Sequence, residues 1–445
     1  MWLIILLVLS IVFIIISSTK FKMHPFLSLT LVSILFALFA GLPVTKIADA
    51  LNDGFGVTIG KIGLVIILGV IIGVYLEYSG GGMRMAESVL NLIGRERVYA
   101  AMAIIGYILS IPVFFDSAFL LMSPLNKSLT KRAGLSLAGT AMALSIGLVT
   151  THVLVPPTPG PIATAGMLGA DIGLVMVMGI GVGIPCVIFG ILFAKYYASK
   201  IYIDPNPELT EEVILERLAN APSTFKSSLP IVIPLLLIVA KSVLEFMLPE
   251  GQRDGMFIQS ILFIGHPVLA LTIGMFLAFG LPAKFSTSHW SDEGWVGQAL
   301  RDAANIILIT GAGGIFGNVL KVSGIAEELG TFFQNQQLGI WLPFILAAAI
   351  KSAHGSSTVA MITTASIMAS MMESFGFVSP IDKALVVTAI GAGAMVASHV
   401  NDSGYWVVVK MSNMTITQGY KLQTLGTGLN GLVAGLVVYI LSLIL

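Results

Sequence analysis

The sequence predicts an all-α polytopic membrane protein folded as two inverted repeats, with about ten transmembrane helices, two re-entrant hairpins and two broken helices. Three observations carry this prediction. Hydrophobic residues make up 56% of the 445 residues and charged residues 10%, where soluble domains carry about 25% charged residues. Apolar runs recur at the length of about 20 residues that crosses a bilayer. The two halves also share their punctuation: HPFLSLTL at 24–31 returns as HPVLALTI at 266–273, Gly41-Leu42-Pro43 as Gly280-Leu281-Pro282, GVYLEYSG ending at Gly80 as GNVLKVSG ending at Gly324, and His152-Val153 as His399-Val400. The offsets are 242, 239, 244 and 247 residues, so the register drifts little along the chain. A long internal repeat in so apolar a chain is the mark of a secondary transporter.

Each element follows from the apolar runs and their breakers. The first half (1–200) is expected to cross at 2–18, 24–41, 60–78, 134–170 and 174–197. The second half (227–445) is expected to cross at 228–248, 258–280, 299–320, 383–416 and 424–445. The first run has no charged segment before it and no small-residue cleavage site after it, so it is expected to be a retained helix. The fourth run of each half, 134–170 and 383–416, is too long for one straight crossing and is broken near its middle. Before each lies an apolar piece with a central break, at 98–125 and 340–372, expected to be a hairpin. The charged, proline-bearing stretch 201–226 is expected to be a cytoplasmic linker. Cys186 stands alone, which excludes an internal disulfide.

Five crossings per half is odd, so the second half is expected to insert upside down. Charge supports that layout: with both termini outside, the expected cytoplasmic segments carry 16 of the 23 Lys and Arg, as the positive-inside rule requires.

Four breaks fall within membrane helices: IPVFFDSAF (111–119), HVLVPPTPGP (152–161), SAHGSST (352–358) and SHVNDSGYW (398–406). Irregular backbone at membrane depth is tolerated only where protein buries it or it lines a watery cavity. Pro156, Pro157, Pro159 and Pro161 lack backbone donors and end the helix before them. The freed groups can hold solute, with helix N-termini suiting an anion and loose carbonyls a cation. Asp116, His152, His354, His399 and Asp402 all lie in these breaks, where an uncompensated charge is costly. Each also has a plainer reading: Asp116 as a capping carboxylate, His152 and His399 as hydrogen-bonded structural histidines, Asn401-Asp402-Ser403-Gly404 as a turn, and Ser356, Ser357 and Thr358 as helix caps. Gly311, Gly313, Gly314 and Gly317 suit close helix packing rather than phosphate binding. Lys351 and Glu77 are assigned no role.

At FKMHPFLSL, PVFFDSAFLLMSPL, HVLVPPTPGP followed by GADIG, TGAGGIFGNVL, GSSTVAMITTASI and SHVNDSGYWVV, the chain resembles the gluconate permease family of bacterial carboxylate symporters. The resemblance spans almost the whole chain. It implies proton-coupled uptake of sugar acids such as gluconate, with relatives taking other small hydroxy acids or D-serine. It further implies kinship with the ion-transporter superfamily of elevator-type dimers. One position departs: the family's proline-rich break commonly carries histidine where this chain has Thr158. A neutral hydroxyl can bond a sugar hydroxyl but cannot carry a proton as imidazole does.

The expected activity is import of a small hydroxylated carboxylate by proton symport across the bacterial inner membrane. Ser117, Ser356, Ser357 and Thr358 are expected to meet the carboxylate. Thr158, Asn401 and Ser403 are expected to bind hydroxyls, and Asp116, His152, His399 or Asp402 to carry the proton, with Asp116 first. The expected partners are the solute, lipid and a second copy of the chain, with no nucleic acid, metal or cofactor. Sodium is the alternative coupling ion, and an amino acid such as D-serine the alternative solute. A channel is disfavoured because no ring of pore-lining charge is visible. An enzyme is disfavoured because no nucleophile with its base, and no metal-ligand spacing, is visible.

Overall fold

A computed structural model describes residues 1–94, 96–206, 218–248, 252–284, 286–325, 328 and 338–445. The centre of the expected linker, with Arg217, and also Arg95 lie outside the described residues. Among the described residues every regular element is helical. The first half holds α1 (Trp2–Thr19), α2 (Pro25–Phe39), α3 (Val44–Tyr78), α4 (Gly81–Ile93), α5 (Val98–Leu109), α6 (Phe115–Arg132), α7 (Leu137–Leu154), α8 (Pro159–Leu168) and α9 (Ile172–Tyr196). The second holds α10 (Thr224–Met247), α11 (Met256–Ile264), α12 (Pro267–Phe279), α13 (Trp295–Val322), α14 (Trp341–His354), α15 (Ser357–Ala369), α16 (Pro380–Ala394), α17 (Ser403–Met411) and α18 (Leu425–Ile444). A π-helical segment, Tyr420–Thr424, leads into α18.

Local chemistry sets these boundaries. Ser136 accepts from the Ala138 amide at the head of α7, and Asp171 from the Leu174 amide at the head of α9. Ser379 and Asp382 close a reciprocal capping box on α16, which satisfies amides that a helix start leaves unpaired. Helix α7 stops at Leu154 because Pro156 and Pro157 follow it, and α8 restarts with Pro159 in its first turn.

Among the described residues, six helical stretches are long and apolar enough to cross a membrane: Val44–Tyr78, Leu137–Leu168, Ile172–Lys200, Thr224–Glu245, Thr287–Val322 and Ile416–Ile444. The expected straight crossing at 258–280 is instead two helices, α11 and α12, bent by 67°. The cause is His266-Pro267: a residue before proline is pushed out of the helical region, and His266 has φ −59°, ψ 130°. The expected crossing at 60–78 begins earlier, at Val44. Large apolar side chains such as Leu9, Leu64, Ile184, Leu236 and Leu436 are exposed on the outside of the bundle, where a bilayer would cover them.

The halves interlock by exchanged pairings. Helix α2 packs on α13 and α12 on α3; α6 packs on α17 and α15 on α8. Within the halves α5 packs on α7, as α14 does on α16. Helices α3 and α13 cross closely at Gly54 and Gly314. A Cβ on Gly54 would come 2.6 Å from the Gly314 carbonyl oxygen, so only small residues permit this approach. Gly311, Gly313 and Gly317 likewise face Phe55, Ile362 and Ser366, in keeping with the packing role read from the sequence.

Candidate functional site

The four breaks meet between the halves, and all four border a cavity of about 670 Å³, the second through His152 alone. Its floor is made of helix starts. Phe115, Asp116 and Ser117 open α6, Ser357 and Thr358 open α15 behind the cap Ser356, and Ser403 and Gly404 open α17 behind the cap Asp402. Each N-terminus presents unpaired amides and about half a positive charge, so three of them aimed at one space favour an anion. The start of α6 has no side-chain cap, which leaves its amides to a ligand or to water.

Asp402 is the most heavily engaged acid. Its Oδ2 accepts from Lys351 Nζ at 2.6 Å and from Ser398 Oγ at 2.5 Å, and its Oδ1 from the Gly404 amide at 3.0 Å. Lys351 also donates to the Gly355 carbonyl at the tip of the second hairpin. Asp116 is held differently: its Oδ2 accepts from Ser403 Oγ at 2.8 Å, joining the first hairpin to the second half's break. His152 lines the wall beside Phe114, its ring centroid 6.5 Å away. Among the described residues, its buried Nδ1 has no hydrogen-bond partner.

Eight of the residues singled out from the sequence thus line one cavity: Asp116, Ser117, His152, Ser356, Ser357, Thr358, Asp402 and Ser403. Three do not. Thr158 is buried and donates to the Val155 carbonyl at 2.6 Å, bracing the proline break. His399 Nε2 is 2.7 Å from the Ser352 carbonyl oxygen, and Asn401 Nδ2 donates to the Ser352 and Ala353 carbonyls at 3.0 and 2.9 Å. Both satisfy the end of α14, whose last carbonyls have no helical partner.

Other residues enter that sequence reasoning left out. His24, Arg301, Asp302 and Asn305 line the cavity from α2 and α13, with His24 Nε2 2.9 Å from Asn305 Oδ1. The signal was present: His24 opens a repeated motif, and Arg301 and Asp302 stand one helical turn before Asn305 near the start of a largely apolar helix. His354 and Ser398, already within the flagged breaks, line it too. Gln423, from the π-helical segment, also reaches the wall, its Oε1 accepting from Ser145 Oγ at 2.8 Å. Nothing in the sequence around Gln423 announces this.

Comparison with known proteins gives this site its setting. The model of the GntP family permeases matches residues 2–444. The gluconate permease of Pseudomonas aeruginosa is 33% identical over 433 residues, covering 96% of this chain and 94% of its own. The D-serine transporter DsdX of Escherichia coli is 32% identical over 451 aligned positions, covering 100% of this chain and 99% of its own. In three dimensions the fold is similar to that of MtrF of Neisseria gonorrhoeae, with a TM-score of 0.65 at 13% identity and 96% of each chain covered. The chain therefore belongs to the GntP permease family, and is a transporter with several membrane-spanning helices rather than an enzyme.

Proposed function

We propose that the chain imports a small hydroxylated carboxylate, of the gluconate type, by proton symport. One observation carries the reading: three helix N-termini and the hydroxyls of Ser117, Ser356, Ser357, Thr358 and Ser403 surround a cavity that also holds an acid bonded by a hydroxyl, Asp116. The amides and hydroxyls bind the carboxylate, as oriented dipoles stabilise an anion without carrying a full charge. Ser398, Gln423 and Asn305 are placed to bond hydroxyls further along the solute. Asp116 takes up the proton that accompanies it, a group buried beside an anion being most stable when neutral.

D-serine is a second solute worth testing, because similarity to the D-serine transporter is nearly as great as to the gluconate permease. Both solutes present a carboxylate next to a substituted carbon and a hydroxyl. Sodium remains the alternative coupling ion. The layout that fits these roles has two inverted repeats of five crossings, both termini outside and the linker inside. The protein would work as an elevator-type homodimer in the bacterial inner membrane.

Uptake into proteoliposomes tests the core of this. Labelled gluconate should accumulate under an inward proton gradient, and unlabelled D-serine should compete if it shares the site. Accumulation that survives collapse of the proton gradient but stops when choline replaces sodium would overturn proton coupling in favour of sodium.

A further inference from the structure

We propose that Lys351 is a buried cation held behind the cavity wall. It is a positioning residue that pairs with Asp402 and straps it to the second hairpin, leaving Asp116 as the carboxylate that exchanges the coupling proton. The strap stands on geometry alone; only the assignment of the proton to Asp116 rests on the symport reading.

Lys351 lies in the last turn of α14 and is 1% exposed. A buried ammonium persists only where partners replace its water. Here those partners are the Gly355 carbonyl, at the hairpin tip, and Asp402 Oδ2, at the opposite break. The backbone between them is tightly fitted. Gly355 has φ +95°, and a Cβ there would come 3.0 Å from Asn401 Cγ. Asn401 and His399 hold the neighbouring carbonyls of α14 from the same side. Lys351 is therefore the charged centre of a joint between two segments that are far apart in sequence.

Lys351 is absent from the cavity lining, so it acts through Asp402 rather than by touching solute. Its field nonetheless reaches Asp116, His152 and His354 across the cavity, which His24, Arg301 and Asp302 also border, with His399 on the break itself. The two aspartates differ accordingly. Asp402 has an ammonium, a hydroxyl and an amide, and a proton there would displace a bonded cation. Asp116 has the Ser403 hydroxyl, and a proton there displaces nothing. With Lys351 and Asp402 cancelling, a monoanionic carboxylate entering with one proton on Asp116 leaves the charge of the cavity unchanged.

The test uses the full-length protein carrying K351M, K351R, D402N or K351M/D402N, with thermal unfolding in detergent and labelled-gluconate uptake measured from pH about 5.5 to about 8, the range over which a bare carboxylate in an apolar site exchanges its proton. Each neutralising single variant should lower the unfolding midpoint, and the double should lose less than their sum. K351R should hold close to wild type. Relative to wild type at the same pH, K351M should lose about tenfold in uptake near neutrality and recover most of it in acid, where a proton stands in for the lysine on Asp402. The double variant should regain the wild-type pH profile. Additive singles, a K351M deficit independent of pH, or a double variant that cannot be purified would each overturn the strap. Gluconate accumulation by D116N that still follows the proton gradient would overturn the assignment to Asp116. If the wild type takes up no gluconate, the symport reading fails, while the unfolding cycle still decides the strap.

Discussion

Asp116 and Gln423 mark the two kinds of contact the cavity offers, one that changes charge and one that does not. The Asp116 carboxylate is bonded to Ser403 across the two halves. Asp116→Asn keeps the shape and the hydrogen bond but cannot take up a proton. It should retain gluconate exchange across equilibrated vesicles while losing proton-driven accumulation, by about a hundredfold if the group is the sole carrier. Parallel exchange and accumulation assays separate the two. Gln423 is fixed by Ser145 at its oxygen, which leaves the amide NH₂ toward the cavity. Gln423→Leu should raise the apparent KM about tenfold, the value of one lost hydrogen bond to a charged or polar solute, with little effect on the maximal rate. Ser145→Ala, which frees the amide to rotate, should do the same more weakly. At this scale the sequence was only partly legible. A polar residue in a broken helix is flagged by position, but position does not say which way it faces. Asn401 and His399 turned to the unpaired carbonyls of α14 instead of the cavity. Lys351, four residues before Gly355 in an apolar helix, has the sequence appearance of a lysine whose stem lies in lipid and whose head reaches water.

Breaks and helix starts make the site, so element boundaries matter more here than helix content. Helix starts and stops written in proline, serine and aspartate were readable, and the interruptions at 110–114, 155–158, 355–356 and 395–402 fall where those residues stand. Two boundaries were not. Residues 44–59 carry Lys46, Asp49 and Asp53, which hides the continuation of α3. The helix persists there because Gly54 packs on Gly314. The bend between α11 and α12 was hidden for the opposite reason, since both arms are apolar and only His266-Pro267 interrupts them. The hairpin tip offers a test at this level. Gly355 combines a positive φ with close backbone packing on Asn401, whereas Gly376 has φ +76° and open space around an added Cβ. Gly355→Ala should cost about 1–3 kcal/mol or more of stability and depress uptake, while Gly376→Ala should cost about 1 kcal/mol and spare it. Thermal unfolding of the two variants side by side checks the difference.

Taken whole, the exchanged pairings between the halves fall into two sets, one among α2, α3, α12 and α13 and one among the helices next to the breaks, α6, α8, α15 and α17. The repeat in the sequence announced such a division, because corresponding segments of the two halves must find equivalent neighbours. It could not announce the small-residue contacts by which the groups touch. On the elevator reading, the break-bearing group slides against the other, and the contact of α15 with α13 is one of the sliding surfaces. Gly313 and Ser366 lie on it, with a Cβ at 313 coming 2.8 Å from Ser366 Oγ, close to the about 3 Å between a disulfide's sulfur and the opposite Cβ. In a Cys186→Ser background, the pair Gly313→Cys and Ser366→Cys should cross-link on oxidation and stop uptake, and a reductant should restore it. Gly190→Cys with Ile146→Cys joins α7 to α9 inside the moving group, where a Cβ at 190 would lie 3.1 Å from Ile146 Cβ. Cross-linking there should leave uptake within about twofold of the reduced protein, since a constraint inside one rigid body does not oppose its displacement. Equal inhibition by both cross-links, or by neither, would rule out relative sliding of these two groups and leave a local gating movement of the hairpins as the way solute gains access.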